Sequence, residues 1–438
     1  MLPMSVLPIR PIPKLNDSSI GANRRARIIV GGCVLILLAF TTATVFVDQM
    51  WAIGTFEIGV FVVSAACLLS GIYKGEELIS GGVAQWLVYL IPWWGVLQII
   101  AHTTTSTADT REAVLRWGAL SGVFLMTQVA ASSREDAMNL LRAFLIFATA
   151  VAALCLTQLF NSNGLVLWRI PSGYRVVFAT FQSRNNYAQF VELSLPIAVW
   201  RAMCKDKWSW LCALSAGILY ASVVAVAART ATVLCTVELV VIFAITIAQQ
   251  RNPKTRIPEL RTFGMVAFVV VLAAVFTLAA GWQQIWERFQ DKEAPFVTRW
   301  AYLEAAAEMT KQRPLTGFGL DTFTEVYPKL AVNDFPYSAN HTHNDWAEFA
   351  AGGGVPFLLL VFIPFALAVP TAVRHPWGVG LVAVMIHACV DYPFPRPAVS
   401  GWMFMMLGTL LSIRKWEKNR AARNKPITSC SESPTSAA

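Results

Sequence analysis

The sequence predicts an all-α, polytopic integral membrane protein of about 12 transmembrane helices, with one large loop on the non-cytoplasmic side between the ninth and tenth. Three observations carry this. Of 438 residues, 56% are hydrophobic and only 14% are charged, a balance that makes a bilayer the solvent. Apolar runs recur at about 20 residues, the length a helix needs to cross hydrocarbon while satisfying its own backbone. Basic residues occur in nearly every second link, as the positive-inside rule requires of cytoplasmic links. The formal charge of +9 therefore belongs to topology, not to a nucleic-acid-binding surface.

Taken in order, residues 1–27 read as a cytoplasmic N-terminal tail ending in Arg24, Arg25 and Arg27. The transmembrane domain follows over 28–413, with spans at 28–47, 52–72, 82–101, 113–131, 139–160, 186–203, 208–228, 230–249, 263–281, 347–372, 378–394 and 397–413. The first run is longer than a signal-peptide core and reads as a retained helix. Even-numbered links carry Lys74; Arg134; Arg201, Lys205 and Lys207; Arg251, Lys254 and Arg256; and Arg374. Residues 414–438 form a basic cytoplasmic tail with the composition of a disordered segment. The eight cysteines show no disulfide framework and no CxxC site.

The remaining links fall outside: 102–112, 161–185, a tight turn near Arg229, and 282–346, which is too long to be a mere connector. Within the last, Val297 to Gln312 predicts a helix at the membrane surface. Its apolar side carries Trp300, Leu303, Ala307 and Met309, and its polar side Glu304, Glu308 and Lys311. A turn at Gly317, Phe318 and Gly319 follows, then a short helical piece from Asp321 to Tyr327.

Three clusters on the outer side can carry chemistry. Arg175 and Arg184 precede the span that contains Glu192; each could snorkel to lipid headgroups or hold an anion. Arg229 interrupts two apolar spans and, if half-buried, needs an anionic partner: Glu192, Glu238 or a ligand phosphate. With Arg299, four guanidinium groups on one face suit a diphosphate, which planar Arg forks bind bidentately. The third cluster is His341, His343, Asn344, Asp345 and Glu348, holding two of the chain's five histidines. An HxH pair can ligate a metal, but general-base work suits it better, since imidazole can take a proton from a sugar hydroxyl at neutral pH. Asn344 or Glu348 would orient the ring, and Asn344 or Asp345 can cap the following helix at the same time. His387 and Asp391, spaced one helical turn apart, read as a buried hydrogen-bonded pair supporting the site.

These pieces in this order resemble the O-antigen ligase and O-antigen polymerase-like superfamily of bacterial membrane glycosyltransferases. The matching stretches are Phe178 through Ala188, Leu195-Pro196, Ala228 through Ala231, Arg299-Trp300, Arg313 through Gly319, and His341 through Phe349 with the glycines after it. They cover about residues 170–400. The resemblance implies a large periplasmic loop (282–346) between the ninth and tenth of about 12 helices. It implies metal-independent transfer of a glycan from an undecaprenyl diphosphate carrier to an acceptor hydroxyl, with no cofactor. Arg229 and Arg299, with Arg175 or Arg184, would hold the diphosphate, and His343, directly before Asn344, would be the base in preference to His341. The acceptor (lipid A-core, a growing glycan or a protein) stays open. The implied site is the periplasmic face of a bacterial inner membrane, with both termini cytoplasmic. One departure stands out: the family's usual glycine before the Thr-Phe pair is Ala179 here. A proton-coupled secondary transporter is the rival from another class, because Glu192, Glu238 and Asp391 lie within spans; against it, the two halves of the chain are dissimilar.

Overall fold

The computed structural model describes residues 17–47, 49–74, 82–171, 177–204, 207–250, 294–331 and 339–423, with a few helical residues between 264 and 278. They form α1 (Asp17–Ala43), α2 (Met50–Lys74), α3 (Val83–Ile100), α4 (Thr107–Ala130) and α5 (Arg134–Asn161). A two-stranded antiparallel ribbon follows, β1 (Leu165–Val166) and β2 (Ile170–Pro171). Next come α6 (Arg184–Met203), α7 (Ser209–Ala225) and α8 (Arg229–Gln250), then α9 (Ala294–Gln312) and α10 (Phe323–Leu330) of the loop. The chain closes with α11 (Asp345–Arg374), α12 (Val379–His387) and α13 (Pro397–Arg423).

Among the described residues, seven helices are long and apolar enough to cross a membrane: α1 to α5, α8 and α11. The chain is thus an all-α polytopic membrane protein. The expected sixth, seventh and twelfth spans are α6, α7 and α13. α6 is buried almost throughout, and α13 is buried over 397–413. A helix enclosed by other helices needs no apolar outer face, so α6 can carry asparagine, glutamine and glutamate. The expected ninth span, 263–281, lies largely outside the described residues.

The eleventh expected span, 378–394, is corrected. Its helix, α12, has nine residues, about 14 Å against about 30 Å of hydrocarbon. The chain turns after His387 and stays non-helical through Arg396. Pro393, Pro395 and Pro397 disfavour helix for the residues before them and remove amide donors.

Starts of helices are set by side chains. Ser106, Ser133 and Ser183 accept from the amides of Asp109, Asp136 and Asn186 to cap α4, α5 and α6. Contacts then sort the links into two ends of the bundle. At one end Arg24 pairs with Glu135, and Arg374 and His375 with Glu417. At the other, Thr180 Oγ1 donates to Thr42 O, Gln182 to Phe46 O, and Arg313 to Thr103 O. The alternation of basic residues divides the same links in the same way. Between the ends, Trp402 stacks on Phe144 at 4.2 Å, and Trp117 is ringed by Phe349, Phe357, Phe394 and Phe404.

α11 breaks at Gly354, whose φ of 73° is open to glycine at little cost. Pro356 has no N–H for Gly352 O, and the amide of Val355 turns to Pro314 O, so two helix carbonyls are left over. The loop takes both: Phe318 N donates to Ala351 O at 3.1 Å and Gly319 N to Gly352 O at 2.8 Å. Gln98 of α3 joins them, donating to Thr316 O and Gly352 O and accepting from Leu320 N. Arg116 of α4 forms an ion pair with Asp321. The loop is thereby tied to the bundle by backbone groups that a break in a helix must satisfy somewhere.

The loop also has its own small core of Tyr302, Ala305, Ala306, Met309, Phe318, Phe323, Val326 and Tyr327. Most of the expected apolar side of α9 is turned away from that core. Of the residues assigned to it only Met309 is buried, while Ala307 is exposed and Trp300 points outward with its indole N–H on Glu304. The buried face follows the loop's own core and α11. The second helical piece starts at Phe323, not Asp321.

Candidate functional site

The site is built where α11 begins and the turn after α12 folds over it. Asn344 caps α11, its Oδ1 accepting from Ala347 N at 3.0 Å. Asp345 N donates to Ala388 O, and Asp345 Oδ2 accepts from Phe394 N at 3.0 Å, which locks the turn of 388–396 onto the helix start. His341 and His343 lead into this cap. His343 takes a left-handed φ of 55°, a conformation uncommon outside glycine that the surrounding contacts hold in place.

Each histidine has a carboxylate. His343 Nδ1 lies 3.2 Å from Asp391 Oδ1, and His341 Nδ1 lies 2.9 Å from Glu348 Oε1. Glu348 Oε2 also accepts from the amide and hydroxyl of Thr342. Tyr392 sits between the rings, stacked on His341 at 4.5 Å and edge-on to His343 at 4.9 Å. The His343 side chain is 29% exposed and that of His341 19%, while Asp391 is 3% exposed. A carboxylate on Nδ1 fixes the tautomer and leaves Nε2 to accept a proton.

Asp391 is held from behind by Gln189 of α6, which donates to Oδ2 at 3.5 Å and accepts from Asn186 at 3.0 Å. Burial opposes its charge, but the hydrogen bond with His343 and the fields of His387 and Arg299 outweigh burial and keep its carboxyl below the usual range. The expected pairing of His387 with Asp391 is therefore corrected. His387 Nδ1 meets Glu192 Oε1 at 2.8 Å, and Asp391 meets His343 instead. The chain leaves the helix after His387, so the spacing of one helical turn does not apply.

The arginines divide. Arg299 of α9 donates to Val390 O at 3.4 Å, beside Asp391. Arg184 and Arg229 are the first residues of α6 and α8, at the same end of the bundle, and Arg184 lies 6.0 Å from the ring of Phe178. Arg229 is exposed, not half-buried, and Glu238 is nine residues along the same helix, about 13 Å away. Arg175 lies outside the described residues. Ala179, at the position where the resemblance expects glycine, takes a φ of 56°, the conformation that glycine adopts freely.

Tyr392, Gln189 and Asn186 were not singled out by sequence. The spacing of Asn186, Gln189 and Glu192, three apart within an expected span, is the signal that marks a polar stripe. Fold and site together define a polytopic helical membrane protein with two histidine–carboxylate pairs and arginines at one end of its bundle.

Residues 210–362 match the family model of O-antigen ligase, Wzy_C, so this part of the chain carries an O-antigen ligase family domain, in keeping with the O-antigen ligase-like superfamily. The match runs from α7 into α11 and includes Arg229, Arg299, His341, His343 and Glu348. No curated protein matches the chain. The family supports a ligase- or polymerase-like glycosyltransferase activity, with glycan and lipid-linked substrates in general.

Proposed function

We propose that the protein is an inner-membrane glycosyltransferase of the O-antigen ligase type. It takes a saccharide from undecaprenyl diphosphate and joins it to an acceptor hydroxyl on the periplasmic side. The observation that carries this reading is the His343–Asp391 pair beside Arg299, within an O-antigen ligase family domain or in contact with it.

His343 Nε2 takes the proton of the acceptor hydroxyl, and the oxygen forms its bond to the anomeric carbon. The bond from that carbon to the diphosphate oxygen breaks, and the carrier leaves as undecaprenyl diphosphate. His341, held by Glu348, is the second candidate for the base; the greater exposure of His343 favours the latter. Arg299, Arg184, Arg229 and Arg175 would neutralise the leaving diphosphate, a role that a divalent ion fills in other transferases. Arg184 and Arg229 each open a helix, where the macrodipole disfavours a cation. The backbone amides at those two helix starts favour an anion, in keeping with a diphosphate at this end.

The test is purified protein given an undecaprenyl diphosphate-linked oligosaccharide with lipid A-core, a glycan end group and an unfolded serine-rich protein in turn. Transfer to one of them, undiminished by EDTA, is the expected result. No transfer and no release of carrier with any acceptor would overturn the proposal. The transporter reading predicts proton-gradient-dependent uptake into vesicles instead.

A further inference from the structure

Beneath the site, three more ionisable side chains are sealed in the bundle. His387 of α12 and Glu192 of α6 are 1% and 0% exposed, and Glu238 of α8 is 2% exposed. Among the described residues, His387 Nε2 and Glu192 Oε2 have no hydrogen-bond partner, and Glu238 meets the thiol of Cys235. A wholly buried imidazole–carboxylate pair with a polar atom unmet on each member does little for stability; well-packed apolar residues would serve as well or better.

The pair's placement suggests its use. Asn186, Gln189 and Glu192 lie three apart and so share one face of α6. In order they meet Gln189, Asp391 and His387. Asp391 is thus reached twice from this face, directly through Gln189 and through His387, which is close enough to Asp391 for their charges to interact.

We propose that Glu192 and His387 are positioning residues for the transfer: Glu192 holds His387 beside Asp391, and His387 keeps Asp391 an anion that orients His343. This rests on the reading of His343 as the base. The charged groups that act on His387 are Glu192 from α6, Asp391 from the turn that follows and Arg299 from α9; Glu238 of α8 acts on Glu192, and Asp345 at the start of α11 on Asp391.

The test uses the full-length protein in detergent, with release of undecaprenyl diphosphate from its linked oligosaccharide followed across pH. In His387→Gln, kcat falls about tenfold, because the charge that favours the Asp391 anion is lost, while KM for the donor is unchanged. The acid limb of the rate profile moves to higher pH, because losing a cation beside the pair makes protonation there easier. The double variant Glu192→Gln with His387→Gln removes both charges and brings that limb back toward the wild type. Should His387→Gln not fold, Glu192→Gln, which keeps the imidazole, lowers kcat at constant KM. A folded His387→Gln with wild-type kcat and pH profile overturns the inference, as does a loss of kcat with the limb unmoved in every variant. His343→Ala separates the two levels: if it is inactive while His387→Gln is normal, only the positioning role fails. If His343→Ala keeps wild-type turnover, the base reading fails.

Discussion

Gln98→Leu removes a single buried amide that joins α3, the loop and the break in α11. In the wild type its Nε2 donates to Thr316 O at 2.6 Å and Gly352 O at 2.8 Å, and its Oε1 accepts from Leu320 N at 3.2 Å. Leucine nearly fills the same volume, so little cavity forms. Gly352 O keeps Gly319 N, whereas Thr316 O and Leu320 N lose the partner they have. A buried backbone group left unmet costs about 1–3 kcal/mol. The part exposure near Thr316 brings the two to about 2–4 kcal/mol together, discounting the upper end. That energy is lost from the docking of residues 313–322, so their amides exchange roughly 30- to 1,000-fold faster, at tenfold for each 1.4 kcal/mol. Hydrogen exchange followed by mass spectrometry in micelles reads this segment directly. Unchanged protection of 313–322 in a folded Gln98→Leu protein would refute the idea that the loop is held by the freed carbonyls and this amide.

Asp391→Asn removes the anion on His343 Nδ1 and permits the other tautomer; turnover falls by about 10²- to 10⁴-fold with the donor KM unchanged, measured by carrier release. The same carboxyl gives a stability signature. Its folded value lies below the usual one, so its contribution is full above the unfolded value of about 3.9 and fades as pH falls through the folded value. A thermal-stability profile should therefore lose a step below about pH 4 in Asp391→Asn, and an identical profile would count against the charge on Asp391. Arg299→Ala raises KM for the lipid-linked donor, and Arg299→Lys restores it only in part because the planar fork is lost. Equal behaviour of the two variants would argue against bidentate contact.

Much of the fold follows from length and charge alone, because a bilayer demands about 20 apolar residues per crossing and sorts basic links to one side. The His341 and His343 cluster, Glu348 and Arg299 are legible by residue type and order. What is not legible is who meets whom. His343 and Asp391 are 48 positions apart, and their meeting depends on the chain leaving the helix after His387. Reading 378–394 as one continuous span paired His387 with the wrong partner. Which face of α9 packs on the loop's own core was not legible, because hydrophobic periodicity does not distinguish such a core from a membrane surface. Gln98 and Gln189 look like tolerated amides in apolar helices, yet each holds together parts of the chain about 200 positions apart. A polar side chain inside a span, read as a residue that must have a partner, is the signal that would have found both.

As proposed, His343, oriented by Asp391, takes the proton of the acceptor while arginines hold the departing diphosphate. The most direct measurement is single-turnover release of undecaprenyl diphosphate by His343→Ala beside wild type, on protein shown to be folded and to bind the donor. Binding within about twofold of wild type and a rate lower by about 10²- to 10⁴-fold are expected. A rate that matches wild type at equal binding would contradict it.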